Sequence, residues 1–156
     1  MSDFHLLLEE QVPKLMRYAA ALTRDADQAS ELVEDTVIDA LANRQDCGGD
    51  VRVWLLTILH DLRGNPFRQS IYVTGASERD PAAQLTLSEF DRALGQLPEE
   101  QRAAILLVGL EAMTYSETAA VLRVPVSTVR SRLTRGRDGL RRALGVTGAT
   151  PLGRAA

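Results

Sequence analysis

A chain of 156 residues, 45% hydrophobic and 25% charged, holds enough apolar material for one ordinary domain or two small ones. Its net charge is −3; with three Phe, three Tyr and one Trp any core is mostly aliphatic, and the single cysteine, Cys47, excludes an internal disulfide. No apolar run approaches the roughly 20 residues of a membrane span, and "MSDFHLLLEE" lacks the basic start and cleavage site of a secretory leader, so a cytoplasmic protein without membrane insertion is expected.

In chain order, nearly every segment reads as helix. "PKLMRYAAALTRD" repeats Leu15, Ala19 and Leu22 at helical spacing, with Pro13 suited to a first turn. "DQASELVEDTVIDALANR" places Ala29, Leu32, Val33, Thr36, Val37 and Ala40 on one side. After the loop "QDCGGD", "DVRVWLLTILHDLR" supplies Val51, Leu55, Ile58, Leu59 and Leu62. These three helices are expected to share a small core within residues 1–65. Residues 66–87 mix Gly, Pro, Ser and charge without period and read as a flexible linker. "SIYVTG" inside it has strand character but no partner strand. Helical signals return over 88–145, where "SEFDRALGQL" leads into "PEEQRAAILLVGLEAM", and residues 146–156 read as a tail. The expected class is all-α, with two small helical domains.

"TYSETAAVL" opens on a capping box, with Thr114 as cap and Glu117 three residues on. Ala119, Ala120 and Leu122 give this short helix a tight face. Pro125 then forces a break, and a longer helix begins near Val126 with the stripe Val129, Leu133, Leu140 and Leu144. Short helix, turn and longer helix make the helix-turn-helix pattern, whose second helix can enter the DNA major groove.

The charge follows this division. Residues 1–65 carry 6 basic and 12 acidic side chains (net −6), residues 66–111 carry 4 and 7 (net −3), and residues 112–156 carry 8 and 2 (net +6). Ends of opposite sign meet different partners. In the basic end Arg130, Arg132, Arg135 and Arg137 fall off the apolar stripe, interleaved with Ser127, Thr128, Ser131 and Thr134. Guanidinium groups neutralise phosphates or read guanine edges, and hydroxyls bond either phosphate or base. These eight residues are the candidate DNA-binding set.

Residues 97–144, "LPEEQRAAILLVGLEAMTYSETAAVLRVPVSTVRSRLTRGRDGLRRAL", resemble the fourth conserved region of the extracytoplasmic-function (ECF) sigma factors, with its "G.SY.E.A..L" and "P.GTV.SR..R.R..L" signatures. Ser127 stands where glycine is usual and Thr114 where serine is common. "ASELVEDTVIDAL" and "VRVWLLTILHDL" resemble the second conserved region, and a general-stress-like subgroup fits. The resemblance implies a sigma factor that binds core RNA polymerase and promoter DNA, is controlled by an anti-sigma protein, and is a monomer when free. It further implies that Glu31, Leu32, Glu34 and Asp35 serve polymerase binding, the acids facing the enzyme with Leu32 and Val33 beneath or beside them. Arg52, Trp54, Arg63 and Arg68 fall in the region implied to meet the minus-ten element, although Trp54 itself reads as core with a rim that can approach DNA. Many relatives carry a dense basic run after the tryptophan helix; "HDLRGNPFRQ" offers only Arg63 and Arg68. Two alternatives therefore stand beside a sigma factor: a sigma-like decoy that sequesters an anti-sigma protein, and a simple helix-turn-helix regulator.

His5 and His60 with one cysteine make no metal set, and neither a nucleophile triad nor a phosphate-cradling glycine loop occurs, so no metal, cofactor or enzymatic activity is expected.

Overall fold

Pro13 does not begin a helix. It sits inside α1 (Asp3–Thr23), which extends ten residues further toward the N-terminus than its sequence context indicates. The ring removes the bond to the Glu9 carbonyl, a loss of about 3 kcal/mol in a helix interior. Pro13 and Glu9 are both exposed, so water can serve that carbonyl. Leu8 is buried beyond the proline, and Phe4 rests against Trp54 with ring centroids 6.0 Å apart. Burial of such side chains contributes about 1.5–3 kcal/mol each and offsets the broken bond.

The computed structural model describes residues 3–64 and 89–145, and every regular element in them is helical. The expected all-α class with two helical units is thus found. The linker at 66–87 with its "SIYVTG", the tail at 146–156, and Arg68 lie outside the described residues.

A tight corner at Arg24, whose φ is 60°, turns α1 into α2 (Ala26–Ala42). Asp25 caps α2, its carboxylate accepting from the amides of Asp27 and Gln28 at 2.9 and 3.0 Å. The buried face of α2 is the expected one: Ala29, Leu32, Val33, Thr36 and Ala40, with Val37 partly covered. Asp50 caps α3 (Val51–Arg63), which buries Leu55, Leu56 and Leu59. Between α1 and α3 the Tyr18 hydroxyl and Nε2 of His60 share a hydrogen bond at 2.6 Å. Burial, reinforced by Glu111 and Glu99, keeps the phenol protonated well above its ordinary range. Burial likewise pushes the His60 imidazole down to about 4, against the pull of Glu99 and Asp61.

The second half comprises α4 (Glu89–Gly95), α5 (Glu99–Ile105), α6 (Tyr115–Leu122) and α7 (Val126–Ala143). The end of α5 widens into a π-helical turn, Leu106–Leu110, in which the Glu111 amide reaches back to the Leu106 carbonyl at 3.0 Å.

The two halves share one core. Leu8, Leu15, Tyr18 and Leu22 belong to the same apolar cluster as Leu94, Leu97, Leu106, Leu107 and Met113. A smaller cluster of Ala104, Ala119, Val129 and Leu133 centres the second half alone. Arg102 crosses the seam and is 8% exposed. Its Nε donates to the Leu94 carbonyl at 3.0 Å, Nη2 to Leu97 at 2.9 Å, and Nη1 to the Leu22 carbonyl in the last turn of α1. Carbonyls ending α1 and α4 carry the negative pole of each helix, which suits a cation.

Replacing Arg102 by methionine leaves three buried carbonyls without their donor. Arg102→Met should lower stability by about 3–5 kcal/mol, read as a shifted urea midpoint at unchanged slope. Arg102→Lys should recover less than half, because an ammonium lacks the planar fork that meets three acceptors at once.

The Tyr18–His60 pair predicts a pH window. Unfolded, the imidazole takes a proton near pH 6.5; folded, only near pH 4. Its contribution is therefore complete above pH 6.5 and is lost as pH falls toward 4, by up to roughly 3 kcal/mol. Denaturation midpoints at pH 7.5 and 4.5 should differ more for the natural chain than for His60→Gln.

Candidate nucleic-acid interface and acidic docking face

Thr114 and Glu117 close the capping box expected of them. The Thr114 hydroxyl accepts from the Glu117 amide at 3.0 Å, and the Glu117 carboxylate accepts from the Thr114 amide at 2.9 Å. The buried residues of α6 are Thr118, Ala119 and Val121, while Ala120 is exposed and Leu122 half-buried. The expected Ala119–Ala120–Leu122 face is thus rotated. α6 packs on α3 of the first half as well as on α7, and two neighbours select a different stripe from one. Arg123 ends α6 in the left-handed region at φ 56°, Val124 bonds back to the Ala119 carbonyl at 3.1 Å, and Pro125 starts α7.

α7 buries Val129, Leu133, Gly136 and Leu140, with Leu144 half-buried just beyond it. A Cβ on Gly136 would stand 2.5 Å from Cδ1 of Ile105, so the missing methyl lets α7 lie close on α5. The opposite face presents Ser127, Arg130, Ser131, Thr134, Arg135 and Arg137 to solvent. Arg130, Arg135 and Arg137 make no ion pair among the described residues. Asp138, the lone acid of the helix, is held by Arg141 at 2.9 Å. Three cations therefore stand unopposed on the solvent side of α7, with Arg135 on one flank and Arg130 and Arg137 on the other. Thr128 is partly covered, and Arg132 leans toward Glu100 at 3.9 Å, away from the other arginines. The Thr134 hydroxyl donates to the Arg130 carbonyl at 3.0 Å, which leaves its lone pairs for a ligand. The Arg130 guanidinium lies 6.0 Å from the centre of the Tyr115 ring, within reach of a cation–π contact.

On α2, Glu31 and Glu34 are exposed and Asp35 is half-buried. Leu32 is 0% exposed and supports this face from beneath, in the core. Ile38, 65% exposed, and Leu41 continue the face toward the end of the helix. Sequence reading passed over both, although each lies off the core stripe of α2.

Of the residues read as meeting the minus-ten element, the three that are described, Arg52, Trp54 and Arg63, are not gathered on a free surface. Arg52 Nη1 donates to the Glu111 carbonyl of the second half at 2.6 Å. Arg63 grips both carboxylate oxygens of Glu99, at 2.7 and 3.2 Å, and the side-chain carbonyl of Gln28 at 3.1 Å. Periodicity gives no warning of these pairings, because their partners lie 36 and 59 residues away. Trp54 is half-buried against Phe4 and borders a cleft of about 510 Å³ between the α2–α3 loop and α6. Asp46, Asp50 and Glu117 make that cleft acidic.

Three helices with an acidic face, joined to a basic helix-turn-helix, make a helical protein with two faces of opposite charge, the basic one of the DNA-binding type. Comparison with known proteins gives the family. Residues 87–139 match the family described as sigma-70, region 4, and residues 8–60 match the sigma2 domain of PhyR. The ECF RNA polymerase sigma factor EcfG of Rhodopseudomonas palustris is 36% identical over 154 residues, covering 91% of this chain and 85% of that protein. ECF sigma factor SigC of Mycobacterium tuberculosis is 30% identical, covering 80% of this chain and 74% of that protein. Among solved structures, the sigma factor RpoE bound to the anti-sigma factor NepR from Bartonella quintana superposes with a TM-score of 0.74. It is 29% identical and covers 94% of this chain and 99% of that one. CnrH bound to the cytosolic domain of CnrY gives a TM-score of 0.71 at 26% identity, covering 91% and 87%.

The chain belongs to the extracytoplasmic-function family of RNA polymerase sigma factors. Sigma factors direct promoter-specific transcription initiation, and the family is non-enzymatic.

Proposed function

We propose that this chain binds core RNA polymerase through the Glu31–Glu34–Asp35 face of α2 and reads a minus-thirty-five element through the exposed face of α7. The observation that carries the reading is the set Arg130, Arg135 and Arg137, exposed along the solvent side of α7 and unopposed by acid among the described residues. Ser127, Ser131 and Thr134 share that face and add hydrogen-bonding groups to it. Thr128 and Arg132 act at its edge. Arg52, Trp54, Arg63 and Arg68 belong to the minus-ten contact, with residues 1–65 and 88–145 as the working units and 66–87 joining them. Two modest contacts held by one enzyme add to a useful affinity. Polymerase supplies the catalysis, and the cytoplasm is where the two meet. No helix among the described residues is long and apolar enough to cross a membrane. RpoE was solved with the anti-sigma factor NepR, and CnrH with the cytosolic domain of CnrY; an anti-sigma protein is proposed here too.

Run-off transcription with purified core polymerase tests this reading. The natural chain should start transcripts at a cognate promoter drawn from a randomised library, and a pre-melted minus-ten bubble should rescue weak promoters most, since few phosphate contacts leave little affinity to spare. Silence on duplex and bubble templates alike would identify a decoy instead. Glu34→Lys with Asp35→Lys should abolish core binding. Glu34 is exposed and Asp35 half-buried, so circular dichroism is used to check that helical content is unchanged. Glu31→Lys with Glu34→Lys, both at exposed positions where charge changes shift stability by only about 0.5 kcal/mol, should weaken core binding in the same sense. Arg130→Ala with Arg135→Ala should weaken promoter binding and flatten its salt dependence, by close to one unit of log–log slope for each phosphate no longer neutralised. A base-reading arginine among them would instead cost about 1–3 kcal/mol at one position of the site.

A further inference from the structure

The arginines on the solvent side of α7 differ in their surroundings. Arg132 leans toward Glu100 of α5, while Arg135 and Arg137 make no ion pair or ring contact among the described residues. Arg130 has a ring: its Cζ stands 6.0 Å from the centre of Tyr115. That ring belongs to the other helix of the motif. Tyr115 is the first residue of α6, and the reciprocal bonds between Thr114 and Glu117 fix the backbone on which it sits. Half-buried, it packs on the cluster of Ala104, Ala119, Val129 and Leu133, so the interior of the second half holds it. Its hydroxyl bonds to no other described residue, which leaves apolar contact to orient the ring.

An exposed arginine explores many rotamers, and ordering it on a ligand opposes binding. A ring held beside the guanidinium lowers that cost. Its negative face attracts the cation, and the planar fork can stack there while its N–H edge stays free to bond. Side chains placed before a ligand arrives bind it more tightly than mobile ones with the same charge. Placement matters at Arg130 in particular, the fifth residue of α7, because the early residues of the second helix are those that approach base edges.

We propose that Tyr115 is a positioning residue for promoter recognition: its ring holds the Arg130 guanidinium in one orientation toward the DNA, so a residue outside α7 sets what α7 delivers. The proposal rests on the reading of α7 as the helix that meets the minus-thirty-five element. Tyr115 need touch no nucleotide. Its effect runs through Arg130 and vanishes where Arg130 is absent. Arg135 and Arg137, without such a platform, contribute charge rather than direction.

Two measurements on the full chain test it. In the free chain, the NMR order parameter of the Arg130 Nε–H group should exceed those of Arg135 and Arg137. It should fall to their level in Tyr115→Leu and keep its natural value in Tyr115→Phe. For DNA, core polymerase loaded with the natural chain selects a promoter duplex from a randomised library, and variants are measured on that duplex. Tyr115→Leu should weaken binding by about three- to tenfold, the range for a cation–π contact that loses water as DNA arrives. Tyr115→Phe should stay within about twofold of the natural chain, and Tyr115→Leu should cost less than about twofold in an Arg130→Ala background. A natural Arg130 no more ordered than Arg135 overturns the platform without any substitution. Unchanged affinity in Tyr115→Leu overturns the role in recognition. An equal loss in both backgrounds makes Tyr115 a support of the fold, and a loss in Tyr115→Phe as large as in Tyr115→Leu assigns the effect to the hydroxyl; either overturns the proposal. Loaded polymerase that selects no duplex defeats the reading of α7 instead, distinguishably, because the order parameters are measured without DNA.

Discussion

One buried guanidinium organises the meeting of the two halves. Arg102 arises from α5, yet its donors serve carbonyls at the ends of α1 and α4 and the turn after α4. A charge in an apolar seam is costly unless every donor finds an acceptor in place, so the ends of those segments are confined together. Lysine could not confine them in this way, because its donors do not diverge in a fixed plane. Once the ends of α1 and α4 are fixed, Leu22, Leu94 and Leu97 fall into one cluster, and α5 has a defined start against α1. Arg24 repeats the device at smaller scale. It covers Gly95, where a Cβ would lie 2.4 Å from its Nε, and reaches Asp91 at 3.1 Å.

Charge and packing are separated along the chain so that neither disturbs the other. The acids of α2 lie opposite Ala29, Leu32, Val33 and Thr36, and the arginines of α7 lie opposite Val129, Leu133 and Gly136. Each polar face can be selected for its partner while the apolar face holds the position. Where a charged residue does enter the seam an opposite charge or a carbonyl lies beside it: Glu99 beside Arg63, a carbonyl beside Arg52, and the exposed Arg17 within 3.5 Å of the buried Glu111. The pairs at the rim are partly exposed and individually weak. The seam therefore combines an apolar interior that favours contact with a rim that can be altered residue by residue.

Local chemistry was readable in the sequence, and long-range chemistry was not. The capping box at Thr114 and Glu117, the break at Pro125 and the stripe of α7 each depend on residues within one or two turns, and all three are found as expected. The core face of α2 came from periodicity for the same reason. Pro13 misled because a proline reads as a boundary, whereas packing of Leu8 and Phe4 carries α1 through it. The rotated face of α6 depends on contact with α3, some sixty residues earlier, and no pattern in "TYSETAAVL" contains that neighbour. Arg132 looked equivalent to Arg130 and Arg135 in spacing; a carboxylate on α5 separates it from them. Arg102 is one arginine among several in the sequence, and only burial reveals its place.

The π-helical turn at Leu106–Leu110 has a consequence for how such proteins diversify. A turn with one residue more than an α-helix needs is a place where a change of length is absorbed: the Glu111 amide takes the Leu106 carbonyl that the residue before it would take in an α-helix, so losing one residue restores the ordinary bond and leaves the downstream chain nearly where it was. Gly109, which has nothing within 4 Å of the place a Cβ would take, offers room for such a change. Downstream of it lies the whole helix-turn-helix, α6 and α7. A single insertion or deletion here can thus be taken up some twenty residues before the arginines of α7 without re-aiming them.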